Sequence, residues 1–261
     1  MSKDFIQQCG DQLYDAMLNK TPIRPLTETH PDLTIETAYH ISLHMLERRL
    51  AAGERVIGKK IGLTSKAVQT MLGVNQPDYG YLTDTMAFSQ GEEMPISERL
   101  MQPRAEGEIA FVLKKDLLGP GITNADVMAA TECLIPCFEV VDSRIENWQI
   151  KIQDTIADNA SCGLFVLGDQ AVSPHKVDLA TCGMVVEKNG SIISTGAGAA
   201  AWGSPVNCVT WLANKLGEFG IPLKAGEVIL SGSLVPLEPV KAGDFMSVSI
   251  NGIGNASVRF V

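Results

Sequence analysis

Nowhere in the 261 residues is there an apolar run of about 18 residues, the length a helix needs to cross a bilayer. The opening Met-Ser-Lys-Asp-Phe-Ile-Gln-Gln has no apolar stretch of signal-peptide length, so the expectation is a cytoplasmic protein with no membrane partner. Long basic runs are missing too, and the net charge is −9. Nucleic acid and anionic membranes need a concentrated positive patch, so neither is an expected partner. The six cysteines form no C-x-x-C pair and sit among apolar neighbours. They read as small buried hydrophobes in a reducing compartment, not as a disulfide frame or a zinc site.

Histidine is scarce. His40 and His44 have i, i+4 spacing, but position 41 is Ile rather than Glu, and a solvated or packed pair is the better reading. There is no G-x-S-x-G, no P-loop and no histidine in a setting for Ser-His or Cys-His catalysis. Gly196-Ala197-Gly198, followed by Gly203, imitates a dinucleotide loop. The next helix starts at Pro205, after the last glycine, so no helix N-terminus is offered to a pyrophosphate.

What is present is an ordinary globular composition, 45% hydrophobic and 20% charged, on a chain long enough to bury a large core. Apolar spacing predicts helices from about Lys3 to Leu18 and from about Thr34 to Ala52, joined by the turn-rich Thr21-Pro22-Ile23-Arg24-Pro25. A strand follows near Arg55–Leu63, then a short helix that begins at Thr64-Ser65 and closes at Gly73. Beyond Gln76-Pro77-Asp78-Tyr79-Gly80 short strands dominate, at 108–114, 138–141, 163–167, 184–188, 228–230 and 245–250. Asn189-Gly190 marks a two-residue hairpin. Helices interrupt from about Asn124 to Cys133 and from Pro205 to near Gly220. The expected class is α+β, with residues 1–75 as a helical region packed on a β-rich catalytic core of residues 76–261, the two forming one functional unit.

The sharpest local pattern is Arg104-Ala105-Glu106-Gly107-Glu108-Ile109-Ala110-Phe111-Val112-Leu113. On a strand Glu106 and Glu108 share one face, and Ile109, Phe111 and Leu113 share the other. Burying two adjacent carboxylates costs several kcal/mol unless a cation lies between them. A third acid, Glu139, stands on the apolar run Ile135-Pro136-Cys137-Phe138-Glu139-Val140-Val141. If both strands line one cavity, three carboxylates make a hard oxygen site that favours Mg²⁺ or Mn²⁺ over Zn²⁺. Spacing alone leaves open a solvated sheet face, with Glu139 paired to an arginine.

Lys60, in Gly58-Lys59-Lys60-Ile61-Gly62, could stabilise an enolate or shuttle a proton, or could be a surface lysine. Asp158-Asn159-Ala160-Ser161 and Ser231-Gly232-Ser233 are polar loops that could bind a carboxylate or simply turn the chain.

Glu106-Gly107-Glu108 with Glu139 downstream and Lys60 upstream resembles the fumarylacetoacetate hydrolase superfamily. Within it, the chain is similar to the hydratase/decarboxylase family of meta-cleavage catabolism of aromatic compounds. The likeness spans nearly the whole chain and is carried by Gly58–Thr64, Gly73–Gly80, Gln102–Glu108, Ala157–Gly163 and Leu230–Leu234.

The resemblance implies a mixed β-roll or barrel core with N-terminal helices, a Mg²⁺ or Mn²⁺ ion and a homo-oligomer able to associate with 4-oxalocrotonate decarboxylase. It implies a small 2-oxo or 2-hydroxydienoate substrate and the addition of water to 2-hydroxypenta-2,4-dienoate, giving 4-hydroxy-2-oxopentanoate. Glu106, Glu108 and Glu139 would hold the metal. Lys60 and Asp78 would be catalytic, and Ser161 and Ser233 would touch substrate. Decarboxylation of 4-oxalocrotonate is the runner-up. C–C hydrolysis of acylpyruvates and a non-catalytic partner subunit rank below it.

Overall fold

The computed structural model describes residues 1–261, the side chains of Met71 and Leu72 excepted. Three helices come first: α1 (Lys3–Asn19), α2 (Leu26–Thr29) and α3 (Ile35–Ala51). The hydroxyl of Ser2 caps α1 by accepting from the Phe5 amide, and that of Thr34 caps α3 through the Thr37 amide. Leu13, Ile41 and Met45 bury between these helices and α7.

The remaining elements follow in order as β1 (Val56–Gly62), α4 (Lys66–Leu72), β2 (Asp78–Thr83), β3 (Ala87–Ser89), β4 (Glu93–Met94), α5 (Ile96–Arg99) and β5 (Arg104–Leu113). Then come α6 (Asn124–Ala130), β6 (Thr131–Val141), α7 (Ile152–Ala157), β7 (Leu164–Leu167), β8 (Gly183–Lys188) and β9 (Ser191–Ala197). The chain closes with α8 (Pro205–Gly217), β10 (Val228–Leu230), β11 (Glu238–Pro239), β12 (Phe245–Ile250) and β13 (Gly254–Phe260). No helix among the described residues is long and apolar enough to cross a membrane.

The strands form two sheets. The larger runs β2-β1-β10-β5-β6-β7-β3, with β11 added on β5, and the smaller runs β4-β13-β12-β8-β9. Ile109, Phe111, Phe138 and Val140 on one face of the larger sheet meet Met184, Val186, Met246 and Val248 of the smaller one. Contact is close at Gly107, where a Cβ would lie 2.8 Å from Met184 Sδ. The opposite face of the larger sheet carries a separate buried set that includes Leu82, Ala110, Cys137, Phe165 and Leu230. This two-sheet core with helices at its N-terminal side is the expected α+β architecture.

Several boundaries differ from expectation. The helical region ends near Gly53 rather than 75, because β1 already lies inside the larger sheet between β2 and β10. The helix expected to reach Cys133 stops at Ala130. There β6 begins its pairing with β5, unbroken in direction from Leu113↔Thr131 to Arg104↔Val141. Pairing across the sheet overrides helix propensity at residues 131–133. Likewise β5 starts at Arg104, and the Gln76–Gly80 connector becomes strand at Asp78, all six residues of β2 being buried. α8 ends at Gly217, and β13, which the apolar pattern did not mark, pairs along the whole of β12. The Asn189-Gly190 hairpin is as read, with φ of 53° and 81° at the two turn residues.

After β6 the chain is fastened by a buried ion pair. Arg144 Nε meets Asp158 Oδ1, and the same guanidinium donates to the carbonyls of Cys162 (2.7 Å) and Asp158 (2.6 Å). Arg144→Met should therefore strand a buried carboxylate and cost about 3–5 kcal/mol in urea unfolding, and adding Asp158→Leu should recover part of it. A loss below about 1 kcal/mol would show that water reaches Asp158.

Candidate active site

Lys60, Asp78, Glu106, Glu108 and Glu139 come from four strands and share one face of the larger sheet. Register fixes this, because directly paired residues point the same way. Gly62 pairs with Asp78, Lys60 with Leu230, Leu230 with Ala110, and Glu106 with Glu139. Strands β1 and β6 are three ladder steps apart, about 14 Å on a flat sheet. Lys60 Nζ nevertheless lies 3.2 Å from Glu139 Oε1, so the sheet curls and these side chains converge on its concave side. The neighbouring Lys59 points the other way and gives its ammonium to both oxygens of Glu227 at 2.7 Å.

One carboxylate oxygen from each of Glu106, Glu108 and Glu139 lies within 4.8 Å of the others. Glu108 is 0% exposed and Glu139 1%, while Glu106 is partly exposed. Glu108 Oε2 accepts from the Gly232 amide at 2.8 Å, but its Oε1, both oxygens of Glu139 and Asp78 Oδ1 have no hydrogen-bond partner among the described residues. Gly232 adopts a φ of 95°, which aims that amide, and Thr64 fills the space a side chain would need. At Gly62 a Cβ would fall 2.3 Å from Asp78 Oδ1 and 3.5 Å from Lys60 Nζ, so glycine there leaves both groups room to meet. The solvated-face reading of the glutamates and the surface reading of Lys60 both fail on burial, and Glu139 pairs with a lysine, not an arginine.

Charge is concentrated and poorly compensated. Burial, then the neighbouring Glu139, pushes the Glu106 carboxyl up to about 8 against the pull of Lys60 and the Ser233 hydroxyl. Burial raises Glu108 well above the usual range, with Glu139 and Glu106 adding to it. It also raises Glu139, against Lys60, and Asp78. For Lys60 burial works the other way, but Glu139, Asp78 and Glu106 outweigh it and the ammonium is held more tightly than an ordinary lysine. Lys60 thus places a positive charge beside the carboxylates. Three clustered carboxylates with orphaned oxygens and one lysine among them fit a hard divalent cation.

The expected substrate-contact serines are less committed. Ser161 is buried, its hydroxyl 3.1 Å from that of Thr155, in a left-handed run with φ of 53°, 51° and 54° at Asn159, Ala160 and Ser161. Asn159 anchors this run to β2 by accepting from the Tyr81 amide (2.8 Å) and donating to the Tyr81 carbonyl (2.9 Å). Ser233 Oγ donates to the Val235 carbonyl at 2.5 Å beside Glu106. Asp158 is no substrate ligand candidate, being spent on Arg144. Two features escaped the sequence reading. Tyr39 of α3 stacks on Tyr79 at 4.6 Å, bringing the helices to the edge of the site. Arg104 stacks on Trp148 at 4.9 Å. Its strand parity with Glu106 and Glu108 was the available signal. Of the i, i+4 histidines, His40 is exposed and His44 Nε2 lies 3.0 Å from Asp11.

Residues 58–261 match the family model for the fumarylacetoacetate (FAA) hydrolase C-terminal region. The chain belongs to the fumarylacetoacetate hydrolase family. Within that family a 2-hydroxypent-2,4-dienoate hydratase of Pseudomonas putida is 75% identical over 221 residues, 85% of this chain and 100% of the relative. A 2-hydroxyhexa-2,4-dienoate hydratase of Comamonas testosteroni is 58% identical over 99% of this chain and 98% of its own. Among solved fumarylacetoacetate hydrolase folds, 4-oxalocrotonate decarboxylase from Pseudomonas putida G7, complexed with magnesium and adipate, superposes with a TM-score of 0.96 at 38% identity, covering 100% of this chain and 99% of that one.

The carboxyls give a signed pH prediction. Each titrates higher in the folded chain than the value of about 4.3 it has when unfolded. The folded state therefore binds more protons between the two values, and stability present at low pH is lost as pH rises from about 4.3 towards the folded value of about 8 for Glu106. Chelator-treated protein should show a urea midpoint that falls across this window, and Glu106→Gln should flatten the fall. A midpoint rising through the window would contradict the assigned direction.

Proposed function

We propose that this chain is a metal-dependent hydratase that adds water to 2-hydroxypenta-2,4-dienoate, giving 4-hydroxy-2-oxopentanoate, in meta-cleavage catabolism of aromatic compounds. The observation that carries the reading is the buried glutamate triad beside Lys60 in a chain 75% identical to a hydratase. Glu106, Glu108 and Glu139 would hold the cation, Mg²⁺ or Mn²⁺ by the hardness of an all-oxygen donor set. When bound, such an ion supplies Lewis acidity towards a carboxylate and the adjacent 2-oxygen.

The chain's own residues account for the proton movements. Conversion of the dienol to the 2-oxo-3-enoate moves a proton from the 2-hydroxyl to C5 and makes C4 electrophilic. Water then adds at C4, and C3 takes up a proton. Negative charge develops at the 2-oxygen in both steps, and the fixed ammonium of Lys60 is suited to stabilise it. Asp78, a buried carboxyl with a raised pKa and an uncommitted Oδ1, is suited to carry the proton. Ser161 and Ser233 remain proposed substrate contacts.

Sequence identity favours hydratase over decarboxylase, 75% to the 2-hydroxypent-2,4-dienoate hydratase against 38% to the 4-oxalocrotonate decarboxylase. Among the described residues the buried cations Arg49, Lys59, Lys60 and Arg144 each face an acid, respectively Glu54, Glu227, Glu139 and Asp158. A homo-oligomer in the cytoplasm, able to associate with the decarboxylase, belongs to the same proposal. The free cysteines fit the reducing compartment in that proposal.

The decisive assay follows freshly generated 2-hydroxypenta-2,4-dienoate by absorbance, with product mass, in EDTA and after adding Mg²⁺ or Mn²⁺. Cation-dependent loss of the dienol with gain of one water is expected. Release of CO₂ from 4-oxalocrotonate without hydration of the dienol would sink the reading. Glu139→Gln should abolish both cation-dependent activity and cation-dependent thermal stabilisation. Lys60→Met should lower kcat by about 10²–10⁴ while the protein still gains thermal stability from the cation.

A further inference from the structure

Along the concave face of β5 the glutamate pair borders on solvent at the Arg104 side, while Ala110, beyond Glu108, is buried and separates the pair from the partly exposed Val112. Glu108 is 0% exposed, Glu106 is partly exposed, and Arg104, the next residue on that face, is partly exposed as well. On β6, Cys137, Glu139 and Val141 of the same face are all buried. Solvent therefore reaches the glutamate cluster from the Arg104 end. Alternate residues on a strand are about 7 Å apart, within the span of an arginine side chain and a small organic acid. Arg104 makes no ion pair and no side-chain hydrogen bond among the described residues, in contrast to the four buried cations. Its guanidinium instead lies 4.9 Å from the centre of the Trp148 ring, whose Nε1 donates to the Gln102 carbonyl at 3.0 Å and so holds the indole in place. Stacking fixes the guanidinium plane and leaves its N–H edge for an anion.

We propose that Arg104, braced by Trp148, is the group that captures the substrate's carboxylate at the mouth of the site. The inference rests on the hydratase reading for the identity of the acid. Its physical motive is charge. Glu106, Glu108, Glu139 and Asp78 oppose an approaching anion and Lys60 is engaged with Glu139 at 3.2 Å, so a cation at the partly exposed end favours encounter. A carboxylate presents two oxygens, and an arginine can take one while the other turns inward. Arg104 is accordingly a binding residue with little part in the proton transfers.

The test uses the full-length, magnesium-loaded protein and 2-oxopentanoate, the saturated five-carbon 2-oxo acid that cannot be hydrated. Calorimetric Kd for this probe should rise about ten- to a hundredfold in Arg104→Gln, recover in part in Arg104→Lys, and lose most of its salt dependence in the former. Magnesium affinity should be unchanged, and with the dienol KM should rise while kcat holds. A structural role for the stack predicts a lowered Tm with wild-type Kd and KM, and that result overturns the proposal. Trp148→Phe, which keeps an aromatic face, should keep most of the affinity. If the wild type binds 2-oxopentanoate through Arg104 but does not hydrate the dienol, the hydratase reading fails and the capture site stands.

Discussion

Three carboxylates held within 4.8 Å of one another on a largely buried face set the central constraint on this molecule. At an effective dielectric of about 20, each pair of like charges at that spacing repels by about 3–4 kcal/mol. The fold answers with little: one ammonium at 3.2 Å from Glu139 and one amide on Glu108. Structures that need only stability bury apolar groups in such a place. Retaining the acids instead suits the site to the cation proposed for it, and the surrounding elements serve to keep it from relaxing.

Relaxation is prevented by curl and by anchoring. The larger sheet must bend for β1 to present Lys60 to β6, and the apolar packing of its convex face on the smaller sheet holds that bend. Beyond β6, the Arg144–Asp158 pair and the Asn159 clamp on Tyr81 fix the left-handed run at 159–161 beside β2. Tyr39 reaches from α3 to Tyr79, next to Asp78. The helices, which contribute no glutamate, thus brace the strand that carries the proposed proton carrier.

Division of labour between adjacent residues recurs. Lys59 and Lys60 are chemically identical neighbours, yet one closes a buried ion pair with Glu227 and the other faces the glutamates, because a strand sends successive side chains to opposite faces. Along β5 the same alternation sends Ile109 and Phe111 into the inter-sheet core and Arg104, Glu106 and Glu108 to the concave face. On that face the partly exposed cation Arg104 precedes the acids Glu106 and Glu108, an order suited to drawing in an acid.

Local pattern alone determined the paired glutamates on one strand face, the Asn-Gly hairpin and the two long capped helices, since each depends on neighbours within a few residues. Glu139 was legible as an acid on an apolar strand, but not its partner. Tertiary structure alone decided that Lys60 and not Lys59 faces the glutamates, that Asp158 belongs to Arg144, and that Arg104 forms no ion pair among the described residues. It also decided where β6 begins, because pairing with β5 outweighs the helical preference of residues 131–133. These outcomes turn on contacts between strands far apart in sequence and on the curl of the sheet, and no local periodicity encodes how far a sheet bends.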